Sequence, residues 1–98
     1  MAQKLKTPEQ MQRHFKGMAN HYRIQILLLV SEEPNITVDT LTDILDANFK
    51  TISQHTRYLA HAGLLTKKYK AQYVLHNLSP YGEIFVKFIR DFRRVGSS

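Results

Sequence analysis

The chain has 98 residues and 43% of them are apolar, the size of one domain with a modest core. It contains no cysteine, which excludes disulfides, thiolate metal ligands and thiol redox chemistry within these residues. The formal charge of +6 is segregated. Glu32 to Asp46 holds five acids and no Lys or Arg, whereas Ala47 to Leu78 holds five bases (Lys50, Arg57, Lys67, Lys68, Lys70) and no acid. Such a block is either a surface for a polyanion or a solvated basic face.

The opening MAQKLKTPEQ has no apolar segment behind its two lysines, so it does not read as a secretory signal. The longest apolar run, Ile26 to Val30, is too short to span a bilayer. A soluble, cytoplasmic protein without membrane contact is expected.

Thr7-Pro8-Glu9-Gln10 opens the first helix, with Thr as N-cap, Pro at the first helical position and Gln completing a capping box. Met11, Phe15 and Met18 follow at helical spacing. Asn20 can cap a second helix, His21 to Glu32, apolar almost all round and therefore central; Pro34 stops it. Thr37 can cap a short third helix, Val38 to Leu45, with Val38, Leu41, Ile44 and Leu45 inward and Asp39, Asp43 and Asp46 on a solvated outer side. A three-residue turn, Asp46 to Asn48, leads to a fourth helix, N-capped by Asn48 and ended at Gly63. At 100° per residue its inner stripe is Phe49, Ile52, Thr56 and Leu59. Lys50, Gln54, Arg57 and His61 fall within about 40° of the opposite pole.

Leu65–Lys70 and Tyr73–Leu78, joined by Ala71-Gln72, read as a β-hairpin although the link has no Gly or Asn. Ser79-Pro80 then starts a last helix over 80–95, followed by a polar Gly96-Ser-Ser tail. The fold expected is mainly α with a small hairpin, a winged helix-turn-helix of order α-α-α-α-β-β-α. It forms a single domain over 1–98, with the helix-turn-helix at 37–62 and the wing at 65–78. Tyr81, Ile84, Phe85, Phe88, Ile89 and Phe92 crowd one broad side of the last helix. With Met11, Phe15 and Met18 they predict a homodimer built from the helices at 7–19 and 80–95. The alternative is that the last helix folds back onto its own core.

The stretch from Asn20 to Ser79 resembles the ArsR/SmtB-type winged-helix transcriptional regulators. The most specific pieces are Thr51-Ile-Ser-Gln-His-Thr-Arg-Tyr-Leu59, Ala62-Gly-Leu-Leu65 and Tyr22-Arg-Ile-Gln-Ile-Leu27. The resemblance implies a recognition helix entering a wing through an Ala-Gly-Leu turn, and dimerising terminal helices. Thr56 stands where the family usually has a core leucine, and Ala47 where a larger apolar residue is common; both thin the packing under the recognition helix. Metal-sensing members use cysteines near the third helix or Asp/His pairs in the last one. Here VDTLTDIL has no Cys and SPYGEIFVKFIRDF no His, so the family's known metal sites are not expected.

The first half of a recognition helix enters the major groove, which singles out Lys50, Thr51, Ser53, Gln54 and Arg57. Gln54 suits adenine and Arg57 suits guanine, while Lys50, Thr51 and Ser53 also suit phosphates. On the wing, Lys67, Lys68 and Lys70 would meet the backbone and Gln72 the minor groove. Tyr69 reads as a half-buried hairpin aromatic or a further wing contact. His61 reads as a phosphate contact or simply exposed, and His55 as a packed or hydrogen-bonded histidine. Arg23 reads as a phosphate contact or, preferably, a structural partner of a neighbouring acid. The five histidines (His14, His21, His55, His61, His76) are scattered, and no phosphate loop, paired acid/base site or cofactor fingerprint is visible. No enzyme, metal or cofactor is expected, and no residue pattern identifies an effector. The expected function is a sequence-specific regulator of double-stranded DNA, a homodimeric repressor. The rival readings are a winged helix binding a protein or RNA, and a non-specific DNA binder.

Overall fold

The computed structural model describes residues 4–95; the polar tail from Gly96 lies outside them. The elements run α1 (Pro8–Met18), α2 (His21–Glu32), α3 (Val38–Leu45), α4 (Phe49–His61), β1 (Leu65–Lys70), β2 (Tyr73–Leu78) and α5 (Pro80–Phe92). This is the winged-helix order. α5 stops at Phe92, three residues short of the expected end.

Local chemistry sets the helix starts. Thr7 and Gln10 form the reciprocal capping box. The Asn20 side chain accepts from the amides of Tyr22 and Arg23, and that of Asn48 from those of Lys50 and Thr51. Each cap satisfies amides that the first turn leaves without a partner. Asp46, in the left-handed region at φ 48°, closes α3 and turns the chain into α4.

α2 is the central helix. Ile26, Leu27 and Val30 are buried against Leu41 of α3, Ile52 and Leu59 of α4, and Val86 and Ile89 of α5. Thr56 is buried too, with its hydroxyl donating to the Ser53 carbonyl at 2.9 Å, so the leucine-to-threonine departure leaves no orphaned polar group there. Ile44 and Phe49, expected to face inward, are exposed instead. Ile44 looks onto an open groove with Gln25, Leu28 and Leu29. Phe49, in the first turn of α4, has no preceding turn to cover it.

The hairpin pairs Leu65 with Leu78 through Lys70 with Tyr73, antiparallel. Ala71 at its tip has a φ of 54°, a conformation the hairpin turn demands in the absence of Gly. Behind the hairpin, Asn35 at φ 67° swings the chain back so that Ile36 pairs with His76. The amide nitrogen of His76 donates to the Ile36 carbonyl at 2.9 Å, and its Nδ1 lies 3.2 Å from the same oxygen. The Asn35 and Asn77 side-chain amides lock this base, with Asn77 Nδ2 donating to Asn35 Oδ1 at 2.9 Å.

His76 is buried, and burial pushes its pKa below the ordinary histidine value; Lys67 adds to this, and the Ile36 carbonyl opposes it. Burial, reinforced by Arg23 and His21, does the same to His55. A histidine held neutral in the native state contributes stability in full above its unfolded pKa of about 6.5. That stability is lost as pH falls through the lower native value, because the unfolded chain protonates first. Urea unfolding is therefore expected to show wild type losing stability on acidification from about pH 7.5 to about pH 5, and a His76→Gln variant losing less.

At the start of α5, Ser79 ties three elements together. Its amide donates to Leu64 O at 3.1 Å, its hydroxyl donates to Gly63 O at 2.6 Å, and the same oxygen accepts from Gly82 N. Gly82 lies so close to the α4–β1 link that a Cβ there would sit 2.1 Å from the Leu64 carbonyl oxygen. Backbone on both sides cannot yield as a side chain would. Gly82→Ala is expected to cost about 3 kcal/mol, read as a lower urea midpoint.

Candidate nucleic-acid interface

The cap at Asn48 fixes where α4 begins, and the Ile52, Thr56 and Leu59 stripe fixes which side turns away from the core. Lys50, Gln54, Arg57 and His61 are consequently all exposed, along the stripe expected from the 100° spacing. Thr51 and Ser53 are half-buried on its flanks, so the protruding groups are the long ones. Among the described residues the ion pair present is Lys87–Asp91, at 2.9 Å on α5. The cations of α4 and the hairpin thus keep their charge uncompensated. The capped start of α4 adds the partial positive charge of a helix N-terminus.

Lys67, Lys68, Lys70 and Gln72 are exposed on the hairpin. Tyr69 is 73% exposed, which corrects the half-buried alternative: every residue of β1 after Leu65 is exposed. Between the start of α3, α4 and the hairpin lies a cleft of about 220 Å³, lined by Phe49, Ser53, Gln72 and Tyr73 and, on the α3 side, by Thr37, Val38 and the carboxylate-bearing Asp39. It joins the two sets of candidate contacts into one surface. Phe49 and Tyr73 were not anticipated there. Phe49's place in the first turn was the available signal.

Arg23 is structural, but its partners are carbonyls and not an acid. Its Nε donates to Gly17 O at 2.7 Å and one terminal nitrogen to Lys16 O at 3.3 Å. Its other terminal nitrogen lies 3.2 Å from His55 Nδ1, so His55 is hydrogen-bonded as expected. The guanidinium also stacks on the Tyr58 ring at 4.2 Å. His14, one of the five scattered histidines, is buried between helices, with Nδ1 at 2.7 Å from Ala62 O and its ring stacked on Tyr81.

Of the apolar residues assigned to a dimer surface, Met11, Phe15, Tyr81, Ile84, Phe88 and Phe92 are exposed. Met18 and Phe85 are partly buried against the core. Ile89 must be reassigned: it lies beside Val86 in the chain's own core, because α5 packs on α2 along that edge. Among the described residues no group of three or more His, Asp or Glu is placed to hold a metal ion, and no helix is long and apolar enough to cross a membrane.

No family model matches the chain. Its sequence is nevertheless 35% identical over 66 residues to the arsenic resistance transcriptional regulator ArsR1 of Pseudomonas putida, covering 67% of this chain and 52% of that protein. It is 36% identical over 67 residues to the arsenical resistance operon repressor of Escherichia coli, covering 68% and 57%. The chain thus spans little more than half the length of these curated relatives. The solved structure of HlyU from Vibrio cholerae superposes with a TM-score of 0.80 at 26% identity, covering 91% of this chain and 97% of that one. The chain belongs to the ArsR/SmtB-type winged helix-turn-helix family. In fold it is also like the homodimeric winged helix-turn-helix DNA-binding domain Mb0332 of Mycobacterium bovis, with a TM-score of 0.82 at 18% identity, covering 100% and 94%. The relatives are transcriptional regulators and not enzymes.

Proposed function

We propose that this family member is a sequence-specific DNA-binding transcriptional regulator. The observation that carries the reading is the uncompensated stripe of Lys50, Gln54 and Arg57 on α4 beside the lysine-bearing hairpin. The first half of α4 enters the major groove, where Gln54 and Arg57 read base edges and Lys50, Thr51 and Ser53 hold phosphates. Lys67, Lys68 and Lys70 follow the flanking backbone, with Gln72 at the minor groove.

The protein acts as a homodimer through the exposed apolar sides of α1 and α5. Two recognition helices related by a two-fold axis then lie about one DNA turn apart and read a pseudo-palindrome. It is a repressor that occludes its promoter, in a single domain without the metal ligands its metal-sensing relatives use.

Selection from a random duplex pool at about 150 mM salt tests this, sequencing what is retained. A palindromic consensus is expected. Uniform weak binding would replace the reading by a non-specific DNA binder, and no binding by a protein or RNA partner. Footprinting on genomic DNA is expected to protect sites overlapping promoters; protection far from any promoter would refute repression by occlusion.

A further inference from the structure

A second surface lies where α1 meets the far end of α4. Arg13, Lys16, Tyr58, His61 and Ala62 line a groove of about 450 Å³, within the volume range of small-molecule sites. Its floor is apolar, made by the Tyr58 ring and Ala62. Its rim holds three side chains able to carry positive charge or donate hydrogen bonds, and no carboxylate.

The groove is held open by two arginines. Arg13 donates across it to the His61 carbonyl, which fixes the guanidinium while engaging one of its five N–H donors. Arg23 binds the Gly17 and Lys16 carbonyls at the end of α1 and covers one face of Tyr58. Tyr58 as a whole is 46% exposed. Lys16 and His61 stand at the edge, exposed.

The geometry points to a binding site for a small organic anion with a flat apolar body. The body lies against Tyr58 and Ala62, and its carboxylate takes charge-assisted hydrogen bonds from Arg13, with Lys16 and His61 at the rim. A duplex backbone fits less well, because the floor is apolar and the cations ring a depression instead of protruding. The site borders the DNA-reading stripe, since Tyr58 and His61 also line a depression with Gln54 and Arg57, but binding of a free anion there does not require the DNA reading.

The test is titration of the whole chain with 1-naphthoate and, separately, its neutral carboxamide, followed by amide NMR. Saturable shifts clustered at 13–17 and 58–63 are expected for the naphthoate, with the carboxamide binding about tenfold more weakly or worse. Lys16→Gln, which removes the charge of an exposed side chain without placing an acid in the last turn of α1, is expected to weaken the naphthoate but not the carboxamide. Tyr58→Ala is expected to weaken both. Equal binding of the two probes, shifts elsewhere, or no saturation at millimolar probe would overturn the proposal. So would a duplex that moves the same amides and competes with the naphthoate, which would make the groove part of the DNA surface.

Discussion

Replacing Gln54 and Arg57 together by alanine is expected to abolish sequence selection while leaving the fold intact. Both side chains are exposed on a helix whose inner stripe does not use them, and alanine is the best helix former. Thermal unfolding should therefore be unchanged within error. Each bidentate base contact is worth about 1–3 kcal/mol of discrimination, so preference for the consensus over a scrambled duplex should fall about thirtyfold or more. The residual affinity should keep most of its salt dependence, because Lys50 and the hairpin lysines remain. Lys67, Lys68 and Lys70 replaced by alanine should do the reverse. The consensus survives, affinity for every duplex falls, and the slope of log K against log salt shrinks by about 0.9 for each phosphate contact removed. A double variant that still selects the wild-type consensus would place the reading residues elsewhere on α4.

The readable parts of this chain are those in which the signal is local. Thr7-Pro8-Glu9-Gln10, Asn20, Thr37, Asn48 and Ser79-Pro80 each carry their helix start within four residues, and all five caps form. The outer stripe of α4 was legible for the same reason: a helix start and an inner stripe determine the opposite face. Phe49 and Ile44 defeated the same reasoning. The 100° rule says which side of a helix a residue occupies, but whether anything stands opposite depends on the neighbours' placement. Phe49 overhangs the first turn of α4, and Ile44 lies beyond the edge of α2. Ile89 fails in the other direction. It shares the apolar side of α5 with Ile84 and Phe88, yet the seam with α2 divides that side into a buried edge and an open one. The pairing of Ile36 with His76, joined across a sequence separation of 40, has no local signature. Nothing near Pro34 announces that the chain after α2 returns to brace the hairpin.

That division of α5 makes the dimer testable with two single substitutions. Ile84 and Phe92 are 64% and 69% exposed, so an isolated chain should tolerate a carboxylate at either position with little loss of stability. At the centre of a two-fold interface the same carboxylate meets its own copy in an apolar contact, where an unpaired charge is strongly unfavourable. Ile84→Asp is therefore expected to halve the mass seen by sedimentation while the circular dichroism spectrum remains helical. Binding to a single half-site should be nearly unchanged, because α4 and the hairpin are untouched. Binding to the full palindrome should weaken by about 10²–10⁴, the gain that tethering two modules provides when both sites can be engaged. Ile89→Asp supplies the contrast. It buries a charge in the chain's own core and should lower stability whether or not a dimer forms. If Ile84→Asp leaves the mass unchanged and Ile89→Asp alone disturbs the protein, the open edge of α5 does not hold two copies together, and the palindrome must be read by chains that meet only on DNA.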